Sequence, residues 1–278
     1  MKFVEKLKAL LPFFIYSNGV VSLATAVLGY GICIQNNIPN ALEYCFFLFF
    51  STLLTYNTQR FLKAEQASYA ITKHMVWVNK HRTFLLFMLI ISAIASGVSF
   101  LFLYNGNWLS FGLLSLSALI SLFYIKNIGN FNLRGVPQLK IHLIALIWVV
   151  ATAYFPLFNE NKLEFNSILY GSIHYLYIIA ITIPFDIRDL KYDDPKYKTI
   201  PQILGFNKAK QLSLFLMVLY FILSLYLKPV LQTNLYFYLA LAYTIVLLML
   251  VNEKRNDFYY SGWLEASIIV VGVSISFY

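Results

Sequence analysis

Long runs of apolar residues, each about 20 residues in length, recur along the whole chain and are separated by short polar segments. An α-helix rises about 1.5 Å per residue, so such a run is long enough to cross the ~30 Å hydrocarbon core of a bilayer. The pattern predicts an all-α protein with about nine transmembrane helices in a single domain over residues 1–278. The predicted spans lie near residues 10–33, 41–60, 83–103, 107–126, 139–158, 166–185, 211–228, 232–251 and 258–277.

The composition also indicates a lipid environment. Of the 278 residues, 60% are hydrophobic and 12% are charged, whereas soluble domains carry about 25% charged residues. A soluble domain of this length would expose too much apolar surface, because much of its sequence lies near the outside. The net charge of +9 would suggest nucleic acid in a soluble protein, but here the basic residues occupy short connections between spans. We therefore expect membrane lipid, and no nucleic acid, among the partners.

The basic residues are distributed unequally between the two sides of the predicted bundle. All but two of the 21 Lys and Arg residues fall in the N-terminal segment or in the connections that follow spans 2, 4, 6 and 8. The opposite side carries only Lys162 and Lys228. Cytoplasmic loops are enriched in Lys and Arg. The pattern therefore predicts a multi-pass integral protein with a cytoplasmic N-terminus, which we expect in a bacterial inner membrane.

An acidic cluster stands where span 6 leaves the membrane, in the segment Pro184-Phe-Asp-Ile-Arg-Asp-Leu-Lys-Tyr-Asp-Asp194. If the helix continues, Asp186, Asp189 and Asp193 share a narrow arc of one face. Three carboxylates there repel one another unless a cation joins them, and hard oxygen ligands with open water positions suit Mg²⁺. Basic residues that could hold phosphate oxygens follow closely: Lys191, Lys196 and Lys198. The alternative is a solvated helix end whose mixed charges keep the loop in water.

A second polar feature, Tyr56-Asn-Thr-Gln-Arg60, closes span 2. Asn57 and Arg60 are three residues apart and so share a helix face. Polar groups near the membrane boundary usually face the bundle interior or a cavity. Interfacial snorkelling would explain Arg60 alone, but not the Asn and Gln beside it.

These features, in this order, resemble the UbiA superfamily of intramembrane prenyltransferases, which has nine helices. The segment from Asp186 to Asp193 is similar to the family's second aspartate-rich motif, which closes helix 6. Thr199-Ile-Pro-Gln-Ile-Leu-Gly205 resembles the segment that follows this motif. Phe123-Tyr124 and the segment from Arg134 to Pro137 resemble the family's helix 4–5 connection. In span count the resemblance covers the whole chain, as a single UbiA-like domain.

The first family motif departs from its pattern, which is Asn-Asp-x-x-Asp-x-x-x-Asp after helix 2. Asn57 matches the asparagine, but Thr58 and Phe61 stand where the first two aspartates would be, and Glu65 stands at the last position. No aspartate precedes Asp186. The metal site nearest helix 2 is therefore altered, and we expect the guanidinium of Arg60 to take its place.

The resemblance implies an enzyme, a prenyltransferase that moves a prenyl group from a prenyl diphosphate to a lipophilic, aromatic acceptor at the cytoplasmic membrane face. It implies catalytic and metal-binding roles for Asp186, Asp189 and Asp193, with Mg²⁺ as the cofactor. The candidate substrate-binding residues are Asn57, Arg60, Tyr124, Arg134, Lys191, Lys196 and Lys198.

Two other functions remain open at this point. The first is a non-catalytic UbiA-like protein that binds lipid or a partner and has lost one metal site. The second is a transporter, which usually needs ionisable groups or broken helices near the midplane of the membrane. Glu265 is the only acidic residue deep in a predicted span, so the transporter is the weaker alternative.

Overall fold

The computed structural model of the chain describes residues 12–65, 73–124 and 133–277. In these ranges the backbone is helical apart from turns and short connections, and it contains no β-strand. A π-helical segment, Tyr259–Leu264, leads directly into the last helix. The helices are α1 (Gly19–Gln35), α2 (Ala41–Glu65), α3 (Lys73–Lys80), α4 (Arg82–Leu103), α5 (Trp108–Phe123), α6 (Leu139–Asn159), α7 (Phe165–Asp189), α8 (Ile200–Leu227), α9 (Leu235–Met249) and α10 (Glu265–Ser276).

In the described part of the chain, every predicted span has a helix in the corresponding place, and α3 is a short additional helix in the connection after span 2. Helices α4, α6, α7 and α8 are long and apolar enough to cross a membrane. Helices α1, α5 and α9 are shorter apolar helices. The prediction of an all-α polytopic membrane protein is confirmed.

The first predicted span is interrupted near its start. Residues 12–16 are helical, a turn follows, and α1 begins at Gly19. Asn18 causes the break because its backbone adopts the left-handed conformation, with φ 64°, which asparagine tolerates better than most residues. An apolar run alone does not reveal such a break.

Helix α8 begins earlier than the predicted span 7, at Ile200 instead of residue 211. Thr199 precedes the helix, Pro201 lies in its first turn, and the side chain of Gln202 accepts a hydrogen bond from the Thr199 N–H at 2.9 Å. This bond is one half of the capping box that starts helices. The polar first turns, which include Lys208 and Lys210, are therefore helix and not loop. Gly205, with φ 76°, kinks the helix.

Burial separates interior helices from peripheral ones. In the most apolar stretch of α7, 67% of the residues are buried, against 17% in α4. Large apolar side chains on α4 and α5 point outward, among them Phe102 at 85% and Trp108 at 81% exposure. Outward apolar side chains are expected where helices face lipid tails.

Helices α1 and α10 approach each other more closely than side chains would allow. A Cβ atom added to Gly272 would lie 2.7 Å from backbone atoms of Val27 and Leu28. A Cβ atom added to Gly31 would in turn collide with the Gly272 carbonyl. Small residues let membrane helices pack backbone to backbone.

We expect Gly272→Ala to lower the free energy of unfolding by at least about 1 kcal/mol, because an added methyl group in a tight core forces the backbones apart. Gly97→Ala on α4 is the control, since nothing lies within 4 Å of a Cβ there. Alanine is the better helix former, so the control should be neutral or slightly stabilising. Unfolding by SDS in bicelles measures both, and equal stabilities would show that the α1–α10 contact is adaptable.

Candidate active site

The ends of α2, α5, α6 and α7 and the start of α10 surround a cavity of about 270 Å³. This volume lies near the lower end of the ~300–1,000 Å³ found for small-molecule sites. The cavity is lined by Val21, Thr55, Tyr56, Gln59, Arg60, Lys63, Ser121, Tyr124, Lys140, Leu143, Ile144, Ile147, Trp148, Ile178, Ile181, Thr182, Phe185, Asp186, Arg188, Asp189, Glu265 and Ile268.

Along α7, the charged and the apolar lining residues occupy different depths. The charged mouth consists of Arg60, Lys63, Lys140, Asp186, Arg188, Asp189 and Glu265. The apolar floor consists of Val21, Tyr56, Leu143, Ile144, Ile147, Trp148, Ile178, Ile181 and Ile268. The rise of about 1.5 Å per residue places Ile181 and Ile178 of α7 about 8 and 12 Å below Asp186. In the floor, Trp148 Nε1 donates to Tyr56 Oη at 3.2 Å.

Lys140 lies between two of the predicted catalytic aspartates. Its Nζ is 2.6 Å from Asp186 Oδ1 and 3.3 Å from Asp193 Oδ2. The side chains are 13% exposed for Lys140, 2% for Asp186 and 4% for Asp193. The Lys140–Asp186 contact is a short, charge-assisted hydrogen bond. It joins the first turn of α6 to the end of α7.

The third predicted carboxylate, Asp189, is paired with its neighbour Arg188. Arg188 Nε lies 2.7 Å from Asp189 Oδ1 and Nη2 lies 3.1 Å from Oδ2, which is a two-pronged contact. The same guanidinium stands 5.2 Å from the ring of Phe185 and 5.6 Å from the ring of Tyr260. Contacts with two rings and a carboxylate hold Arg188 in one orientation.

Helix α7 ends at Asp189. Asp193 therefore lies in the loop after the helix and not on the helix face that the spacing predicted. Hydrogen bonds within the loop instead place Asp193 near Asp186. The Asp193 N–H donates to the Asp189 carbonyl at 2.9 Å, and the Gln202 side chain donates to the carbonyls of Asp193 at 3.2 Å and Asp194 at 3.3 Å. The segment from Thr199 to Gly205 therefore fixes the loop that carries Asp193.

The lysines predicted to hold phosphate lie outside the cavity lining. Lys191, Lys196 and Lys198 are all exposed, and Lys196 Nζ pairs with Asp194 Oδ2 at 3.0 Å. The backbone N–H and the ammonium of Lys196 hold the pKa of the Asp194 carboxyl below its usual value. This part of the loop matches the alternative of a solvated helix end.

Asn57 and Arg60 share a helix face as predicted, but Asn57 contributes to the fold and not to the cavity wall. It is 1% exposed; its Oδ1 accepts from Asn18 Nδ2 at 2.8 Å and its Nδ2 donates to the Ser17 carbonyl at 3.1 Å. It thereby stabilises the break before α1. Arg60 donates to the Tyr16 carbonyl at 3.2 Å and lines the cavity.

The connection before α6 is only partly described. Tyr124 is buried and lines the cavity. The side chain of Arg134 lies outside the described part of the structure. Gln138, just before α6, donates its N–H to the Tyr197 carbonyl at 3.0 Å. The start of α6 is thus tied to the loop after α7.

The cavity wall also contains Lys63, Lys140 and Arg188. The sequence indicated these residues only as basic residues of the cytoplasmic side. Glu265 had a visible signal as an acidic residue inside a span, and it does line the cavity. It interacts electrostatically with Arg60 and Arg188.

The carboxylates do not form an open metal site. Across the described ranges, no three His, Cys, Asp or Glu side chains are grouped so that they could hold a metal ion. The two carboxylates that converge do so on the ammonium of Lys140, and the Asp189 carboxylate faces Arg188. The residues as arranged do not fit Mg²⁺.

Comparison with solved structures identifies the fold. No protein-family model and no curated protein matches the sequence. A solved UbiA homologue from Archaeoglobus fulgidus bound to GPP and Mg²⁺ is similar with a TM-score of 0.63 at 13% identity, over 95% of this chain and 98% of that chain. This chain has the UbiA fold.

Two further structures support the UbiA fold. The Archaeoglobus fulgidus homologue bound to DMAPP and Mg²⁺ gives a TM-score of 0.59 at 15% identity, over 95% of this chain and 98% of that chain. A structure described for digeranylgeranylglyceryl phosphate synthase in membranes gives 0.52 at 18% identity, over 98% of each chain. The resemblance carried by the span count and by the segment that begins at Asp186 is therefore confirmed at the level of fold.

Proposed function

We propose that this protein binds a prenyl diphosphate in the cavity and transfers the prenyl group to a lipophilic acceptor. The observation that carries the proposal is the division of one cavity into a charged mouth and an apolar floor. A prenyl diphosphate has the same two parts, a diphosphate head and an apolar tail. The UbiA homologues of the same fold hold GPP and DMAPP.

In this proposal the mouth binds and stabilises the diphosphate. Arg60, Lys63, Lys140 and Arg188 bring four cationic groups to the cavity wall. They lie beside the carboxylates of Asp186, Asp189 and Glu265 and the Asp193 carboxylate that contacts Lys140. Guanidinium and ammonium groups bind phosphate oxygens through charged hydrogen bonds. They would also stabilise the negative charge that grows on the diphosphate as the allylic C–O bond breaks.

The floor holds the tail and shields the reacting carbon from water. The rings of Tyr56 and Trp148, and of Phe185 above them, border the cavity, and aromatic faces stabilise positive charge such as that of an allylic cation. The acceptor then forms a bond to the allylic carbon and releases a proton. An aromatic acceptor fits the same apolar surroundings.

We assign the aspartates a positioning role. Asp186 and Asp193 hold Lys140, and Asp189 holds Arg188. Mg²⁺ is present in the two homologues; because these residues do not fit Mg²⁺ as arranged, the proposal assigns no step to it.

We also propose that the mouth faces the cytoplasm. Lys63, Lys140 and Arg188 lie at the mouth, whereas Lys228 lies at the other end of the bundle, where it donates to the Gln35 carbonyl at 2.6 Å. The distribution of the remaining basic residues agrees with this orientation.

Binding of geranyl diphosphate to the protein in lipid nanodiscs tests the proposal. Ile181→Trp should fill the floor and weaken geranyl diphosphate binding while leaving inorganic pyrophosphate binding intact, since Ile181 is buried in the cavity wall. Ile222→Trp is the matched control, because Ile222 is 56% exposed on α8. Absence of geranyl diphosphate binding to the wild-type protein would refute the proposal.

A second candidate is a lipid-binding UbiA-like protein without transferase activity. Helix α2 favours this function, because Thr58 and Phe61 stand there in place of aspartates. Incubation of membranes with labelled geranyl diphosphate separates the two functions. The transferase releases pyrophosphate and yields a labelled lipophilic product, whereas the binding protein retains intact geranyl diphosphate.

A further inference from the structure

The carboxylates of Asp186 in α7 and of Asp193 in the loop after it converge on a cation that belongs to the chain itself. Asp186 Oδ1 and Asp193 Oδ2 lie 2.6 and 3.3 Å from the same atom, Lys140 Nζ. Proteins offer Mg²⁺ a similar arrangement, one or two carboxylates completed by substrate phosphates. Because Mg²⁺–oxygen distances are about 2.0–2.1 Å, a metal ion and the ammonium group cannot share this position.

Burial makes the ammonium group hard to displace. Asp186 is 2% exposed and Lys140 is 13% exposed. A metal ion that took the carboxylates would leave an ammonium group without its partners beside apolar residues such as Leu143 and Ile144. Separating a buried ion pair is strongly unfavourable.

The opposite wall of the cavity needs no metal either. Among the described side chains of helix α2, those that line the wall include no carboxylate: Thr55, Tyr56, Gln59, Arg60 and Lys63. Positive charge therefore faces the cavity directly on this side. On the α7 side, Asp189 is already held by Arg188 at 2.7 Å.

We infer that Lys140 is a built-in cation that takes the place of a divalent metal between Asp186 and Asp193, so that the site binds diphosphate without Mg²⁺. An ammonium group has three N–H donors, and the two carboxylates account for two of them. Since Lys140 lines the cavity, the third donor is available to a phosphate oxygen. The inference rests on the proposed function and adds to it the means by which the diphosphate is held.

Binding of geranyl diphosphate in EDTA and in millimolar Mg²⁺ tests the inference. The wild-type protein should bind equally well in both solutions. Lys140→Met keeps the apolar stem and removes the charge, so affinity in EDTA should fall by at least about tenfold. Mg²⁺ should restore part of this loss, because the two carboxylates of Asp186 and Asp193 are then open to a metal.

The matched control is the double variant Lys140→Met with Asp186→Asn. It leaves fewer uncompensated buried charges than the single variant, so we expect the protein to remain folded for the binding measurement. It should lose affinity in EDTA as Lys140→Met does, but Mg²⁺ should not restore it. Electron paramagnetic resonance with Mn²⁺ supplies an independent readout: Mn²⁺ should bind to Lys140→Met with geranyl diphosphate, and not to the wild-type protein.

The possible outcomes separate the inference from the proposed function. Wild-type binding that requires Mg²⁺, or Mn²⁺ bound by the wild-type complex, would overturn the inference and leave the function standing. No geranyl diphosphate binding in either solution would overturn the proposed function, and the inference with it. Equal wild-type binding in both solutions, together with a Mg²⁺-dependent Lys140→Met variant, is the result that we expect.

Discussion

Asp186→Ala is expected to lower the free energy of unfolding by about 3–5 kcal/mol, the cost of removing one partner of a buried ion pair. The variant leaves the Lys140 ammonium with Asp193 alone, at 3.3 Å. Lys140 has little access to water, so the lost contact cannot be replaced by full hydration. Reversible unfolding by SDS in bicelles measures the difference.

Asp194→Ala is the matched control for this prediction. Asp194 belongs to the same acidic segment, but its partner Lys196 is 64% exposed and its own side chain is 45% exposed. Exposed ion pairs contribute little to stability, so we expect a much smaller change than for Asp186→Ala. A second comparison is the triple variant Asp186→Leu, Asp193→Asn and Lys140→Met, which removes all three buried charges and should regain much of the loss. Equal effects of Asp186→Ala and Asp194→Ala would show that burial of the Lys140 pair does not stabilise the fold.

Arg60→Lys is expected to weaken diphosphate binding by about 1–3 kcal/mol, which is typical of a charged hydrogen bond. The guanidinium lies in the cavity wall while it donates to the Tyr16 carbonyl at 3.2 Å. Lysine keeps the charge but loses the planar fork that matches two oxygens at once. Calorimetric titration with inorganic pyrophosphate measures the change without any contribution from the prenyl tail.

The control for Arg60→Lys is Arg82→Lys. Arg82 begins α4 and lies over the Phe61 ring at 4.5 Å, next to the same end of α2 but outside the cavity lining. If Arg60 only anchors α2 at the membrane interface, both variants should bind pyrophosphate like the wild-type protein. That result would favour the lipid-binding function over the transferase.

The apolar runs predicted the helices well because a bilayer leaves the backbone few other ways to satisfy its hydrogen bonds. The predicted helix boundaries were wrong where local polar contacts determine where a helix begins or breaks. Asn18 breaks a continuous apolar run by adopting a left-handed conformation. Thr199 and Gln202 start a helix inside a polar stretch that looked like a loop.

The candidate site was only partly predictable for a related reason. The α7 aspartates were visible as a local cluster, and Arg60 followed from its helix face. The role of Lys140 depends on a contact between residues 46 positions apart, which spacing along one helix cannot reveal. Asn57 matched a family pattern, yet its side chain contacts Ser17 and Asn18. The motif match identified the position of Asn57 but not the residues that its side chain contacts.

The close contact between α1 and α10 also sets an order of assembly. Among the described helices, α1 has its most extensive contact with α10, and Gln35 bonds to the Ile275 carbonyl across 240 positions of sequence. At about 5–20 residues per second of synthesis, α1 waits roughly 10–50 s in the bilayer before α10 emerges. Throughout that time the Gly31 face of α1 lacks the α10 backbone that it contacts in the folded protein. A nascent chain that stalls before Tyr259 therefore leaves the Gly31 face of α1 without its α10 partner.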